Sequence, residues 1–499
     1  MRHSATALGF AIALATVSGA MRPAAALAQA APAAGNVLTL ADAITLARRN
    51  NPGLQTSVNA RRTAAANVRA ANGQLIPSLS TSFGAGYREG RQQFFAGQGF
   101  GSTNDQLSTD ASASVSLSIT PGFLQDLAAV KANRDATEAD IAVAEQNLRN
   151  AVTTQYLTAL QQQARAMLQD TLLATTTAQL QLARARLQVG SGTQLDVQRA
   201  EVADGQQRVA SLNARNQAQI EIVRLFQQIG IPPVLDAKLD PNLPAIPTID
   251  MSAVLGQAKQ SNPQLAALTS REQAASRSLS SAKRSYFPSM SLSASLSAFA
   301  NRYTSTDQLI TSGQASLVSQ KASCIRTEEV RAALNLSNRL ASCNAIAWTA
   351  ADEQAIKDSQ SKYPFSMTRN PYSLNASFSL PIFNGFRREQ QIEAAEVQRK
   401  NVQNDRRTQE LRVTADVTAA YLSLNTAQQT VTLQEQNVRT ARTALQLAQE
   451  RYRVGAISIV DLVQARGDYE RAETDRITAV YDVQRAFAAL ENAVGRPLR

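Results

Sequence analysis

Two hydrophobic periods divide the chain between them. From Pro77 to Tyr87 the residues Leu79, Thr81, Phe83, Ala85 and Tyr87 fall on one face and small or polar residues on the other, the two-residue period of a β-strand. The alternation returns over Ala111–Ile119 with serine at every second place, again over Met290–Ser297, and once more over Tyr372–Leu380. Outside these stretches the period is helical. It runs from Leu38 to Asn51, from Leu54 to about Leu75, and unbroken from about Leu124 to Leu187, which amounts to about 100 Å of helix.

Further along, Val417, Leu424, Val431, Val438, Leu445 and Tyr452 recur at every seventh residue, and Ala465, Ala472, Ala479, Ala486 and Ala493 keep the same interval. A strict heptad with alanine seams predicts long helices packed closely as coiled coils. The long helices are interrupted at two places, Val189-Gly190-Ser191-Gly192-Thr193-Gln194-Leu195-Asp196 and Val454-Gly455-Ala456-Ile457-Ser458-Ile459-Val460-Asp461. In each, the glycine ends one helix and the small polar residues start another, so the chain makes two helical hairpins.

The two halves repeat. Asn51-Pro52 answers to Asn262-Pro263 and Pro77-Ser78 to Pro288-Ser289 at one constant offset; Tyr156 and Tyr421, Gly190 and Gly455, Asp196 and Asp461, Gly230 and Gly495 keep a second, larger one. The offset grows in a loop at about 300–371 that holds Cys324, Cys343 and Trp348, with a short helix expected near Thr327 to Leu340. The chain thus reads as a tandem duplication: a first repeat over 31–235, a proline-rich crossover over 236–250, and a second repeat over 251–499. Residues 1–30 read as a secretory signal peptide, with an apolar run ending in the small-x-small site Ala28-Gln29-Ala30.

Composition narrows the chemistry. The net charge of +11 is interspersed and forms no block, which argues against nucleic acid as a partner. The single histidine, His3, departs with the signal peptide, so the mature chain has none for catalysis or metal binding. No Gly-rich phosphate loop with lysine is present. No cofactor, metal or catalytic residue is expected, and the protein reads as a non-enzyme. In an oxidising compartment Cys324 and Cys343 are expected to form one disulfide, with free thiols as the alternative.

Four strands of about nine residues, apolar on one face and serine-rich on the other, have the build of membrane-spanning β-strands. Four cannot close a barrel, and open edges in lipid leave backbone groups unpaired. Two copies would give eight strands and three would give twelve, and only the larger count leaves a wide bore.

The duplicated plan, the Asn-Pro of each half, the Pro381-Ile382-Phe383-Asn384-Gly385-Phe386 segment and the paired Val-Gly…Asp bends together resemble the TolC-like outer-membrane efflux protein family. The resemblance covers nearly the whole mature chain. It implies a mixed, mainly α fold whose homotrimer forms a twelve-stranded barrel in outer-membrane lipid and a twelve-helix periplasmic tunnel. It also implies a passive exit duct for efflux or type I secretion, working with a periplasmic adaptor (membrane fusion) protein and an inner-membrane pump or ABC exporter. A periplasm-spanning coiled-coil scaffold anchored in the outer membrane is the alternative.

By position, Asp196 and Tyr452 resemble a pair that ties hairpins shut at the tunnel entrance, and Asp461 an aspartate that lines it. Val189, Gly190, Val454 and Gly455 lie in the bends that adaptors grip. Two positions depart from the family pattern: Ile457 stands where an arginine is usual, and Gln464 where a further gate aspartate is usual. The closed state is therefore expected to rest on fewer polar links.

Overall fold

The computed structural model describes residues 37–498 other than 91–92, 97, 101–104, 236 and 338; the expected signal peptide lies outside the described residues. The first repeat contains α1 (Leu40–Asn50), α2 (Pro52–Gly73), β1 (Ser78–Arg88), a small hairpin of β2 (Gln93–Phe95) and β3 (Gln98–Phe100), β4 (Gln106–Ile119), α3 (Phe123–Gln188) and α4 (Gln194–Ile229). The second contains α5 (Met251–Ser261), α6 (Pro263–Lys283), β5 (Ser289–Tyr303), α7 (Asp307–Ala333), α8 (Leu340–Asn344), α9 (Ala350–Ser361), β6 (Thr368–Arg369), β7 (Ser373–Ser379), α10 (Arg387–Arg453) and α11 (Ile459–Val494). The fold is mainly α with one principal antiparallel sheet.

That sheet runs β1-β4-β5, and β6 and β7 share the far side of β5 as two pieces of one interrupted strand. Its register stacks serine on serine. Ser78 meets Ser116, Ser80 meets Ser114 and Ser82 meets Ser112, with hydroxyl–hydroxyl distances of 2.8, 2.8 and 2.7 Å. Ser291–Ser377 and Ser295–Ser373 continue the ladder at 2.6 and 2.7 Å. Because side chains alternate, the opposite face is apolar, and it lies bare: Phe83 and Phe378 keep 77% and 73% of their surface. Strands β4 and β5 run longer than the serine pattern alone predicts, since backbone pairing continues through Asp110 opposite Phe299 to Gln106 opposite Tyr303.

The chain divides into two compact units. One takes the described part of Met1–Asn51 with Val152–Ala245 and Arg442–Ile477, and holds both bends; the other takes Pro52–Ala151, Ile246–Ala441 and Thr478–Arg499, and holds the sheet. In the second unit the predicted heptad positions Val417 and Leu424 pack with Val413, Leu265, Phe487, Leu490 and Val494. In the first, the buried Tyr156 hydroxyl donates to the Leu38 carbonyl at 2.8 Å and accepts the Asp240 N–H at 3.0 Å, closing the crossover on the segment just before α1.

The repeated Asn-Pro has a local purpose. Proline confines the preceding asparagine to extended backbone and opens the next helix, where its missing N–H costs nothing. Asn51 then donates its side-chain amide to the Gln228 carbonyl at 2.8 Å, and Asn262 to the Ala493 carbonyl at 3.1 Å, each covering an orphan carbonyl at the end of a return helix.

The loop between β5 and β6 departs from its expected single short helix. Helix α7 starts at Asp307; within it Thr311 and Ser312 turn their hydroxyls back onto the carbonyls of Asp307 and Leu309, and Gly313 makes room for the Trp348 ring. It ends at Ala333, before the left-handed Asn335. Cys324 and Cys343 are disulfide-bonded with Cα atoms 5.6 Å apart, tying α7 to α8.

The paired bends as candidate functional site

Each bend is built from the same local parts. Gly190 and Gly455 sit at φ +72° and +79°, a left-handed geometry that favours glycine. Their N–H groups donate to the carbonyls of Leu187 and Tyr452, both at 3.0 Å, and the next residues reach back to Arg186 and Arg451 at 2.9 and 2.8 Å. The return helices start with matching caps. Thr193 donates its hydroxyl to Asp196 at 2.7 Å and accepts the Asp196 N–H at 3.2 Å; Ser458 and Asp461 repeat this at 2.8 and 3.3 Å.

Both candidate gate carboxylates are therefore engaged in starting a helix. The Thr193 hydroxyl, its N–H and the charges of Arg199 and Arg186 hold the Asp196 carboxyl below the usual carboxylate range, against partial burial. Asp461 stands exposed at the start of α11, and Gln464 one turn on donates to Asp468 at 3.1 Å. Val189 and Val454 are exposed on the bends.

Asp196 and Tyr452 line one cavity of about 180 Å³, together with Ala183, Arg186, Gly192, Gly455 and Ile459. The residue that reaches Tyr452, however, is Arg186. Its guanidinium donates to the Tyr452 carbonyl at 3.0 Å and lies 5.1 Å from the centre of the Tyr452 ring. Tyr452 is itself buried among Leu445, Ile459 and Leu462, with Leu182 packed alongside from α3. Arg186 belongs to α3 and Tyr452 to α10, so this contact links the two hairpins beside their bends. Among the described residues no group of three or more His, Cys, Asp or Glu could hold a metal. No described helix is long and apolar enough to cross a membrane.

The family model described as outer membrane efflux protein matches residues 43–231 and 254–496, most of the chain and one segment in each repeat. The chain belongs to the outer membrane efflux protein family. The efflux protein resembles several solved channels in fold. The outer-membrane channel OprN aligns with 18% identity over 92% of this chain and 90% of its own, at a TM-score of 0.67. The outer membrane protein VceC from Vibrio cholerae aligns with 16% identity over 92% and 97%, at 0.66. The MtrE outer membrane channel of Neisseria gonorrhoeae, solved in an open state, gives 17% over 92% and 89%, at 0.65. No curated protein sequence matches. The efflux protein is accordingly an outer-membrane channel of mainly α fold, and the bends are its most distinctive local construction.

Proposed function

We propose that this efflux protein is a passive exit duct with no chemistry of its own, closed by three copies of the chain. The observation that carries this reading is the sheet: one face hydroxyl-lined, the other bare and apolar, and the outer sides of β1 and β7 unpaired among the described residues. A sheet of that kind is stable in lipid only when neighbouring copies pair its edges, and the hydroxyl face then lines the bore. The long hairpins extend the duct into the periplasm. There the exposed Val189 and Val454, beside Gly190 and Gly455, meet an adaptor protein, and an inner-membrane pump or ABC exporter supplies the energy.

Asp461 is the gate residue of this proposal, since three exposed copies at a constriction form a carboxylate ring that attracts cations. Asp196, Tyr452 and Gln464 complete the entrance. Current through planar bilayers containing the intact oligomer tests the assignment. Small cation-preferring steps whose selectivity falls in Asp461→Asn support it. Large unselective steps indifferent to the variant keep the duct and remove Asp461 from the gate, while silence from a folded oligomer leaves the tethered scaffold.

A further inference from the structure

The serine ladder breaks at one rung. On the hydroxyl face Ser82 and Ser112 bond to each other at 2.7 Å and Asn370 donates to Ser297 at 2.9 Å. Two residues farther along each strand, the next rung is Gly84, Asp110 and Phe299. Beyond it Ser108 turns its hydroxyl back onto the Gly86 carbonyl at 3.4 Å. The hydroxyls on either side are therefore spent within the sheet. The Asp110 carboxylate is exposed, and among the described residues nothing hydrogen-bonds to it.

Gly84 makes this placement possible. A glycine inside a strand weakens it, and it is found where something else must come close. Here the Asp110 side chain lies over it: a Cβ at Gly84 would stand 2.9 Å from the Asp110 Cγ and nearer still to one carboxylate oxygen. On the other flank Phe299 is the register partner of Asp110, with Cβ atoms about 5 Å apart, and it keeps 38% of its surface. Asp110 is the only acidic residue on this face of β1, β4, β5, β6 and β7 among the described residues. The only basic one, Arg88, stands two rungs farther out, about 13 Å along the strand and beyond the screening length of physiological salt.

Resting on the duct reading, we propose that the Asp110–Phe299 rung is a subsite for organic cations on the wall of the bore. Two features select that class. A carboxylate with no internal partner in a wetted lumen attracts a cation, and three copies of the rung add their fields. The half-exposed phenyl ring beside it offers apolar and cation–π contact, which a quaternary ammonium or pyridinium ion fills better than a strongly hydrated metal ion. The rung is separate from Asp196 and Asp461, which belong to the other compact unit.

N-methylpyridinium, a cationic collisional quencher of indole, and acrylamide, a neutral one, test this on the full-length oligomer. A Trp348→Phe background removes the one native tryptophan. In Phe299→Trp at low salt, pyridinium quenching is expected to fall at least about threefold when Asp110→Asn is added, with acrylamide quenching unchanged. The difference should close at about 1 M salt. A reporter two rungs inward, Ser114→Trp, should show no such dependence. Equal pyridinium quenching with and without the carboxylate overturns the subsite and leaves the duct standing. So does a Phe299→Trp closed to both quenchers beside an accessible Ser114→Trp, the rung then being covered by a neighbouring copy. If both positions are closed to both quenchers, the hydroxyl face is not wetted, and subsite and duct reading fall together. Should Phe299→Trp not assemble, Phe299 stays and current decides. The tetraethylammonium-to-chloride permeability ratio of the Asp461→Asn oligomer at low salt should fall at least about twofold on adding Asp110→Asn, and an unchanged ratio overturns the subsite.

Discussion

Arg186 and Arg451 stand at matching places, each four residues before the glycine of its bend, and their backbone carbonyls accept the same kind of helix-ending hydrogen bond. Their side chains part company. Arg186 crosses to the other hairpin and fastens on the carbonyl and ring of Tyr452, while Arg451 is exposed. The bends are twins in local chemistry and unequal in reach. Duplicating a sequence duplicates caps and turns, because these are settled within a few residues; it does not duplicate tertiary links, because each depends on what another segment presents.

The largest test of that inequality is Tyr452→Ala against Leu187→Ala, the residues three before each glycine. Tyr452 is only 4% exposed, so its truncation should cost the second bend about 3–5 kcal/mol. The half-buried Leu187 should cost less than half as much. Hydrogen exchange of the bend amides in the intact oligomer measures both, and equal losses would erase the asymmetry.

Next in size are the glycines. Gly190→Ala and Gly455→Ala each force an L residue into left-handed backbone, at about 1–2 kcal/mol. A Cβ at Gly455 would also lie 3.0 Å from the Arg186 guanidinium, whereas nothing stands within 4 Å at Gly190. Gly455→Ala should therefore displace Arg186 and raise single-channel conductance, with Gly190→Ala affecting stability alone.

Arg186→Met keeps the aliphatic stem and removes the bond and the ring contact. It should loosen the second bend by about 1–2 kcal/mol, against nearly none for Arg451→Met. Exchange protection at Gly455 is the readout.

The smallest effects should be matched. Thr193→Ala and Ser458→Ala each remove a cap worth about 1 kcal/mol. The depressed carboxyl of Asp196 adds a pH signature to the first. Its contribution is complete above the unfolded carboxylate value of about 3.9 and is lost as pH falls through the lower folded value, so acid should fray the start of α4 in that window. Thr193→Ala should flatten that dependence.

Much of this architecture was legible because it is written in short periods. The serine alternation marked the polar face, the heptads marked Val417 and Leu424 as core, and the paired glycines marked both bends. Arg186 left no such trace: an arginine in the last turn of a helix is ordinary, and its twin at Arg451 does nothing similar. Helix α7 was obscured for a related reason, since its hydroxyl residues and Gly313 read locally as loop until Trp348 is packed against them.

The serine ladder has a consequence for traffic. Each hydroxyl pair has already spent a donor on its neighbour across the strands, and the side chains are too short to project. On the duct reading, a passing solute meets a wetted wall with few free hands, offering little to grip and few protrusions to catch on. Such a lining sacrifices recognition for low friction, and so leaves the choice of cargo to whatever loads the far end.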